Sequence, residues 1–198
     1  MADVLLTHSY HLYYDRKQTR KMQPYPPLGT LYAATALREQ GISVAVFDSM
    51  LQDPISAFSE TLKRHQPKVL AIYEDDFNFL SKMCLTRMRE LAWQLARAAR
   101  EAGAIVIAHG SDATDHAKAY LDHGADFVLV GEAEQSLVEL CTSILTGDLL
   151  PSSIPGVIRL DTGGDLVQSA IKSSRNANWK NLPRPARDLV DLAPYREA

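Results

Sequence analysis

With 198 residues and a mass of 22.0 kDa, the chain has material for one core and a short appendage. Lys and Arg number 21 against 24 Asp and Glu, and the formal charge of -3 is spread without any block of like sign, which argues against an electrostatic nucleic-acid or anionic-membrane binder. No apolar run nears the ~18 residues needed to span a bilayer, and "MADVLLTHSYH" lacks the basic-then-apolar order of an export signal, so a cytoplasmic protein is expected.

In chain order, five short aliphatic runs stand out: Asp3–Leu6, Ser43–Phe47, Val69–Tyr73, Ala104–Ala108 and Asp126–Val130. Each is continuously apolar, the pattern of a strand covered on both faces. Helical periods lie between them. "LGTLYAATALREQG" carries Leu28, Leu31, Tyr32, Thr35 and Ala36 at helical spacing and stops at Gly41. "DPISAFSETLKRHQP" opens on Asp53 as a cap, with Pro54 at the first position. The longest segment, "KMCLTRMRELAWQLARAAREAG", has Met83, Met88, Leu91, Leu95 and Ala98 on its stripe. "ATDHAKAYLDHG" and "EAEQSLVELCTSILTG" follow, each closed by glycine. This alternation predicts an α/β fold, a flavodoxin-like (Rossmann-like), doubly wound, five-stranded parallel sheet of order 2-1-3-4-5. In such a sheet the ligand site lies outside the carboxyl ends of the strands, at the point where the strand order reverses.

The loops at those ends carry the chemistry. After the first strand, Thr7 to Pro27 has no strong period but holds Tyr10, Tyr13, Tyr14 and Tyr25, as an ordered cover over something flat and partly apolar would. The second strand ends at Asp48, a turn or cap residue in the absence of any G-x-G-x-x-G that would make it a ribose acceptor. Glu74, Asp75 and Asp76 follow the third strand, where clustered carboxylates suit a metal or hydroxyl groups; a phospho-acceptor of the receiver type is discounted, since it needs acids after the first strand and a lysine after the fifth. Gly110 and Gly131 sit just past their strands and allow close backbone approach to a bulky ligand, with Ser111 and Thr114 as hydroxyl donors. Glu132 and Glu134 read equally as acids in the first turn of a helix. Cys84 and Cys141 are too far apart in sequence for a paired-cysteine metal site and read as reduced thiols on helices. Beyond the composition boundary near "TGDLLPSSIPG", residues 151–170 predict a small β-hairpin, around "DTGG", outside the main sheet. Residues 171–198, interrupted by Pro183, Pro185 and Pro194, predict an extended linker.

Taken together, "PYPPLGTLYAATALREQG", the turn "AHGSDAT", "DFVLVGEAEQSL" and "LPRPARDLVDLAPYR" resemble, in that order, the N-terminal cobalamin-binding domain of cobalamin-dependent radical S-adenosylmethionine enzymes. The resemblance runs from Val4 to Arg196. It implies a corrin lying across the carboxyl ends of the strands, near Pro27, Leu28, Gly29, Tyr73, Glu74 and Asp75. It also implies a nucleotide tail near His109, Gly110, Ser111 and Asp112, with Gly131 and Glu132 on the loop beside it. Two positions depart from the family pattern, with His109 in place of a glycine and Asp112 in place of a histidine.

The implied organisation is a cobalamin-binding domain over residues 1–150, the hairpin, and a linker toward a radical S-adenosylmethionine barrel that would bind S-adenosylmethionine and a [4Fe-4S] cluster. The cluster motif Cys-x-x-x-Cys-x-x-Cys is absent here, so this chain alone is expected to hold cobalamin and catalyse nothing, with methyl transfer the implied chemistry of the whole. The barrel, in the same or a partner chain, is the implied partner. His8 and His11 are the candidate cobalt ligands, but neither sits in the Asp-x-His-x-x-Gly motif of methionine-synthase-like modules, so the expected lower face meets a non-histidine side chain, a water or nothing, with the cofactor's own base displaced. The competing readings are a flavodoxin-like regulatory or interaction domain without cofactor, and a dinucleotide oxidoreductase.

Overall fold

The computed structural model describes residues 1–75, 84–148, 151–170 and 183–197. Five parallel strands form the centre of one sheet: β1 (Val4–Thr7), β2 (Val44–Phe47), β3 (Val69–Tyr73), β4 (Ile105–His109) and β5 (Phe127–Leu129). Their order is 2-1-3-4-5, as the alternation predicts. Adjacent side chains in each strand enter opposite cores. Leu5, Leu70, Ile72, Val106 and Val128 pack under α3 (Ser56–His65), α4 (Leu85–Glu101), α5 (Ser111–Asp115) and α6 (Ala117–Asp122). Val4, Leu6, Ala71, Ile107 and Leu129 pack under α2 (Leu28–Glu39) and α7 (Glu134–Thr146). That two-sided burial is why the strands read as continuous apolar runs. β2, at the sheet edge, is only partly buried over Val44, Ala45 and Val46.

Local signals account for most boundaries. Asp53 accepts from the Ile55 and Ser56 amides at 3.1 and 2.7 Å and so caps α3, while Gly147 takes φ 82° to close α7. On α4, Met88, Leu91 and Leu95 are buried as expected and Ala98 only partly; Met83 lies outside the described residues. The expected single helix after Gly110 is two, broken at His116 with neither proline nor glycine there.

Two expectations are corrected. The hairpin of β6 (Val157–Leu160) and β7 (Leu166–Gln168) does not stand outside the sheet; it extends it to seven strands, β6 pairing antiparallel with β5 through Val128↔Ile158 and Leu129↔Val157. The physical reason is the apolar edge that β5 otherwise exposes, which Val157 and Ile158 cover from opposite faces. Of the expected extended linker, residues 183–197 pack on the domain and include two short helical turns; residues 171–182 lie outside the described residues. Ala186 is buried against the α2/α7 face, its amide donates to Leu31 O at 3.2 Å, and Asp188 takes both its bonds from Arg38 at 2.9 and 2.8 Å. A short helix, α8 (Ala193–Glu197), then accommodates Pro194 in its first turn.

Candidate functional site

The sheet reverses direction of winding between β1 and β3, and the residues at that carboxyl edge interlock. Glu74, just past β3, accepts from the Ser9 amide at 2.7 Å, bridging the two strands across the switch point. Its exposure is 8%, and its second carboxylate oxygen, Oε2, is buried with no hydrogen-bond partner among the described residues. Next to it, Asp75 Oδ2 accepts from the Leu28 amide at 3.1 Å, capping a helix whose preceding residue, Pro27, offers no side-chain cap. Gly29 brings α2 against the end of β3: a Cβ there would lie 3.4 Å from both Asp75 Cα and Glu74 O. Thr30 locks the same approach by donating to Tyr73 O at 2.7 Å.

Along the same edge Tyr73 stacks on His109, ring centroids 3.9 Å apart and 17° from parallel, and His109 Nε2 meets Gly131 O at 2.9 Å. Gly131 takes φ 82° with open space where a side chain would stand, and Glu132 beside it is exposed. Gly110 leads α5 at φ 133°, so Ser111 begins a helix at the end of β4. Pro27, Leu28, Gly29, Tyr73, Glu74, Asp75, His109, Gly110, Ser111, Gly131 and Glu132 thus fall along one continuous edge. Asp112 is there too, but its carboxylate turns to the other face, held by Arg89 at 2.6 and 2.8 Å and by the Tyr120 hydroxyl at 2.9 Å. Burial pushes that carboxyl up, and the bonds and charge of Arg89 and Tyr120 more than offset it, leaving Asp112 below the ordinary carboxylate range. Asp76 lies outside the described residues, among which no three His, Cys, Asp or Glu gather as a metal site.

The loop after β1 is more ordered than its lack of period predicts. It forms a 3-10 turn at Leu12–Tyr14 and helix α1 (Arg16–Lys21), capped by Asp15, which accepts from the Lys17 and Gln18 amides at 3.0 and 3.1 Å. Asp15 before a run of strong helix formers was the available signal. Both nitrogens of His8 are engaged, Nε2 with Asp48 Oδ1 at 2.9 Å and Nδ1 with Ser49 Oγ at 3.3 Å, while His11 Nδ1 meets Ser49 O at 2.9 Å. Asp48 is the turn residue that the sequence implies, accepting from the Met50 amide at 3.0 Å, and also takes the Tyr195 hydroxyl of α8 at 2.5 Å. Burial alone pushes Asp48 up, but His8, Tyr195 and Met50 together hold it below the usual range. Nothing in local sequence pattern marks Tyr195 or Arg89, because their partners are distant in the chain. Tyr13 and Tyr14, with Arg16, Lys17, Cys84, Thr86 and Arg87, line an open cleft of about 740 Å³ beside this loop.

The family match decides what this edge serves: the B12 binding domain family covers residues 22–141, from the loop before α2 through most of α7. The chain belongs to the B12-binding domain family. It is accordingly a cobalamin-binding module, and the expectation drawn from its motifs holds at that level. Among solved structures this B12-binding domain is similar to the radical S-adenosylmethionine methyltransferase TsrM from Kitasatospora setae, at 21% identity and TM-score 0.63 over 85% of this chain and 30% of that one. It is also similar to the cobalamin-dependent S-adenosylmethionine radical enzyme OxsB, at 16% identity and TM-score 0.70 over 100% of this chain and 25% of that one. The domain therefore spans about a quarter to a third of the enzymes it resembles, and at these identities the likeness is one of fold. No curated protein matches it.

The edge has what a broad ligand with amide groups requires. Among the described residues a buried acceptor lacks a donor at Glu74, and the backbone at Gly131 leaves open space. These features fit cobalamin, whose ring is flat and apolar in its body and edged with hydrogen-bonding amides.

Proposed function

We propose that this domain is the cobalamin module of a radical S-adenosylmethionine enzyme, a methyltransferase by the chemistry of the whole, and that it holds the corrin across the carboxyl edge between β1 and β3. The observation that carries the placement is the pairing of Glu74 with Ser9 across the switch point, where a buried carboxylate oxygen has no protein donor among the described residues. Pro27, Leu28, Gly29, Tyr73, Glu74 and Asp75 flank the ring, and Gly110, Ser111, Gly131 and Glu132 border the tail, with Asp112 contributing backbone only since its side chain is held by Arg89 and Tyr120. The structures of TsrM with cobalamin and a [4Fe-4S] cluster, and of OxsB with aqua-cobalamin and S-adenosylmethionine, support the wider assignment.

When bound, cobalamin supplies a transferable methyl group on cobalt. The protein's own part is to seat the ring and exclude water from it. The α2 entrance is rigid, fixed by Pro27, by the Thr30 hydroxyl on Tyr73 and by Asp75 on the Leu28 amide. His8 spends both ring nitrogens on Asp48 and Ser49, and His11 spends Nδ1 on Ser49 O, so His8 would hold its own loop in place and not a metal. The cluster and S-adenosylmethionine belong with a separate barrel. Cys84, just before α4, and Cys141, within α7, are both buried, and burial pushes the Cys141 thiol up to about 12, the opposite of what a cluster ligand requires.

Two measurements test this reading. The cob(II)alamin complex examined by electron paramagnetic resonance is expected to show no nitrogen superhyperfine splitting; splitting that vanishes in His8→Ala or His11→Ala would contradict it. Supplied with S-adenosylmethionine and a reductant, this chain alone is expected to transfer no methyl group, and turnover without a barrel domain would overturn the assignment.

A further inference from the structure

We infer that Glu74 is the hydrogen-bond acceptor through which this domain grips the corrinoid, its Oε2 taking an N–H or O–H carried by the ligand itself. The inference rests on the cobalamin reading above and names the atom that makes the contact. Glu74 is more than nine-tenths buried, and its Oε1 is committed to the Ser9 amide at 2.7 Å. A carboxylate oxygen left buried without a donor is costly, and native structures satisfy such groups with protein, water or ligand. Among the described residues no Lys, Arg or His pairs with Glu74. The neighbouring acid, Asp75, already serves the Leu28 amide, and the described residues assemble no three-ligand metal cluster beside it. What the position lacks, among the described residues, is a donor to Oε2. It lies where the loops after β1 and β3 part, against the backbone of Gly29. A corrinoid offers two kinds of donor, the carboxamides around its ring and the ribose hydroxyls of its nucleotide tail.

Glu74→Gln separates a binding role from a structural one. The glutamine carbonyl still accepts from the Ser9 amide, but its NH2 replaces an acceptor with a donor at the second position. The ligand-free variant is therefore expected to melt at or above the wild-type Tm, since the buried acceptor oxygen is gone. Its affinity for hydroxocobalamin, measured by absorbance titration, is expected to fall about 10- to 100-fold, the worth of one hydrogen bond to a charged group. Dicyanocobinamide, which keeps the ring amides but lacks the nucleotide, locates the donor: an equal loss with both ligands assigns it to a ring carboxamide, and a loss confined to hydroxocobalamin assigns it to the tail. Either result supports the inference. Wild-type affinity for both ligands in Glu74→Gln, or a lowered Tm with affinity unchanged, would overturn it while leaving cobalamin binding intact. Failure of the wild-type protein to bind hydroxocobalamin would instead overturn the cobalamin reading, and this inference with it.

Discussion

At the scale of single residues, the carboxyl edge is built from side chains that serve backbone groups. Asp75 caps α2, Thr30 fastens α2 to β3, and Asp48 joins a turn, a histidine and a distant tyrosine. Asp112 differs, its carboxylate taking two side chains, the Arg89 guanidinium and the Tyr120 hydroxyl. Asp112→Ala strands a partly buried guanidinium and a buried phenol, and is expected to cost about 2 kcal/mol, solvent access to Arg89 keeping the loss near the low end for charged bonds. Tyr120→Phe, which removes one bond, should cost about 1 kcal/mol. Urea denaturation of both variants checks the ranking. Acid exposes the same pairs: Asp48 and Asp112 both titrate lower in the folded protein than in the unfolded chain. Their stabilisation is complete above the ordinary carboxylate range near pH 4 and is lost as pH falls through and below it. The Tm should therefore drop more steeply below about pH 4 in the wild type than in Asp112→Asn.

Among elements, the parallel core was readable because burial on both faces leaves continuous apolar runs, and glycine and aspartate mark most helix ends. The hairpin's existence was readable from Asp161 to Asp165, and in the structure Asp161 Oδ1 holds the Gly163 and Asp165 amides at 2.8 and 3.0 Å. Its place in the sheet was not, because whether β6 pairs with β5 depends on an edge formed by residues distant in sequence. Gly156 makes that junction: it takes φ 70°, and a Cβ would lie 2.8 Å from Val130 O. Gly156→Ala should cost about 2 kcal/mol or more, and loosen β6 and β7 ahead of the rest in hydrogen exchange. Gly164→Ala, at φ 85° with nothing near, should cost only about 1 kcal/mol. The site divides along similar lines. Glycines and prolines at loop entrances pointed to the edge, whereas the engagement of His8 with Asp48 and of Asp112 with Arg89 is a product of tertiary packing.

Across the whole molecule, the C-terminal run ties opposite parts of the domain together. Ala186 and Asp188 fasten to α2, while Tyr195 joins the cluster of Tyr10, Leu12, Met50, Cys84 and Met88 beneath the β1 loop. Tyr195→Phe removes the bond to Asp48 and is expected to lower stability by about 1 kcal/mol and to speed proteolysis of α8 with little change in the core. We propose that cobalamin is seated at the carboxyl edge between β1 and β3. Hydrogen exchange with and without bound hydroxocobalamin tests it most directly. Protection is expected at residues 8–11, 28–31, 74–75, 109–112 and 131–133, with none added at β7 or in the groove of Gln40, Gln135, Val138, Glu139 and Ser153. Protection confined to that groove or to the hairpin, with the carboxyl edge unchanged, would contradict it.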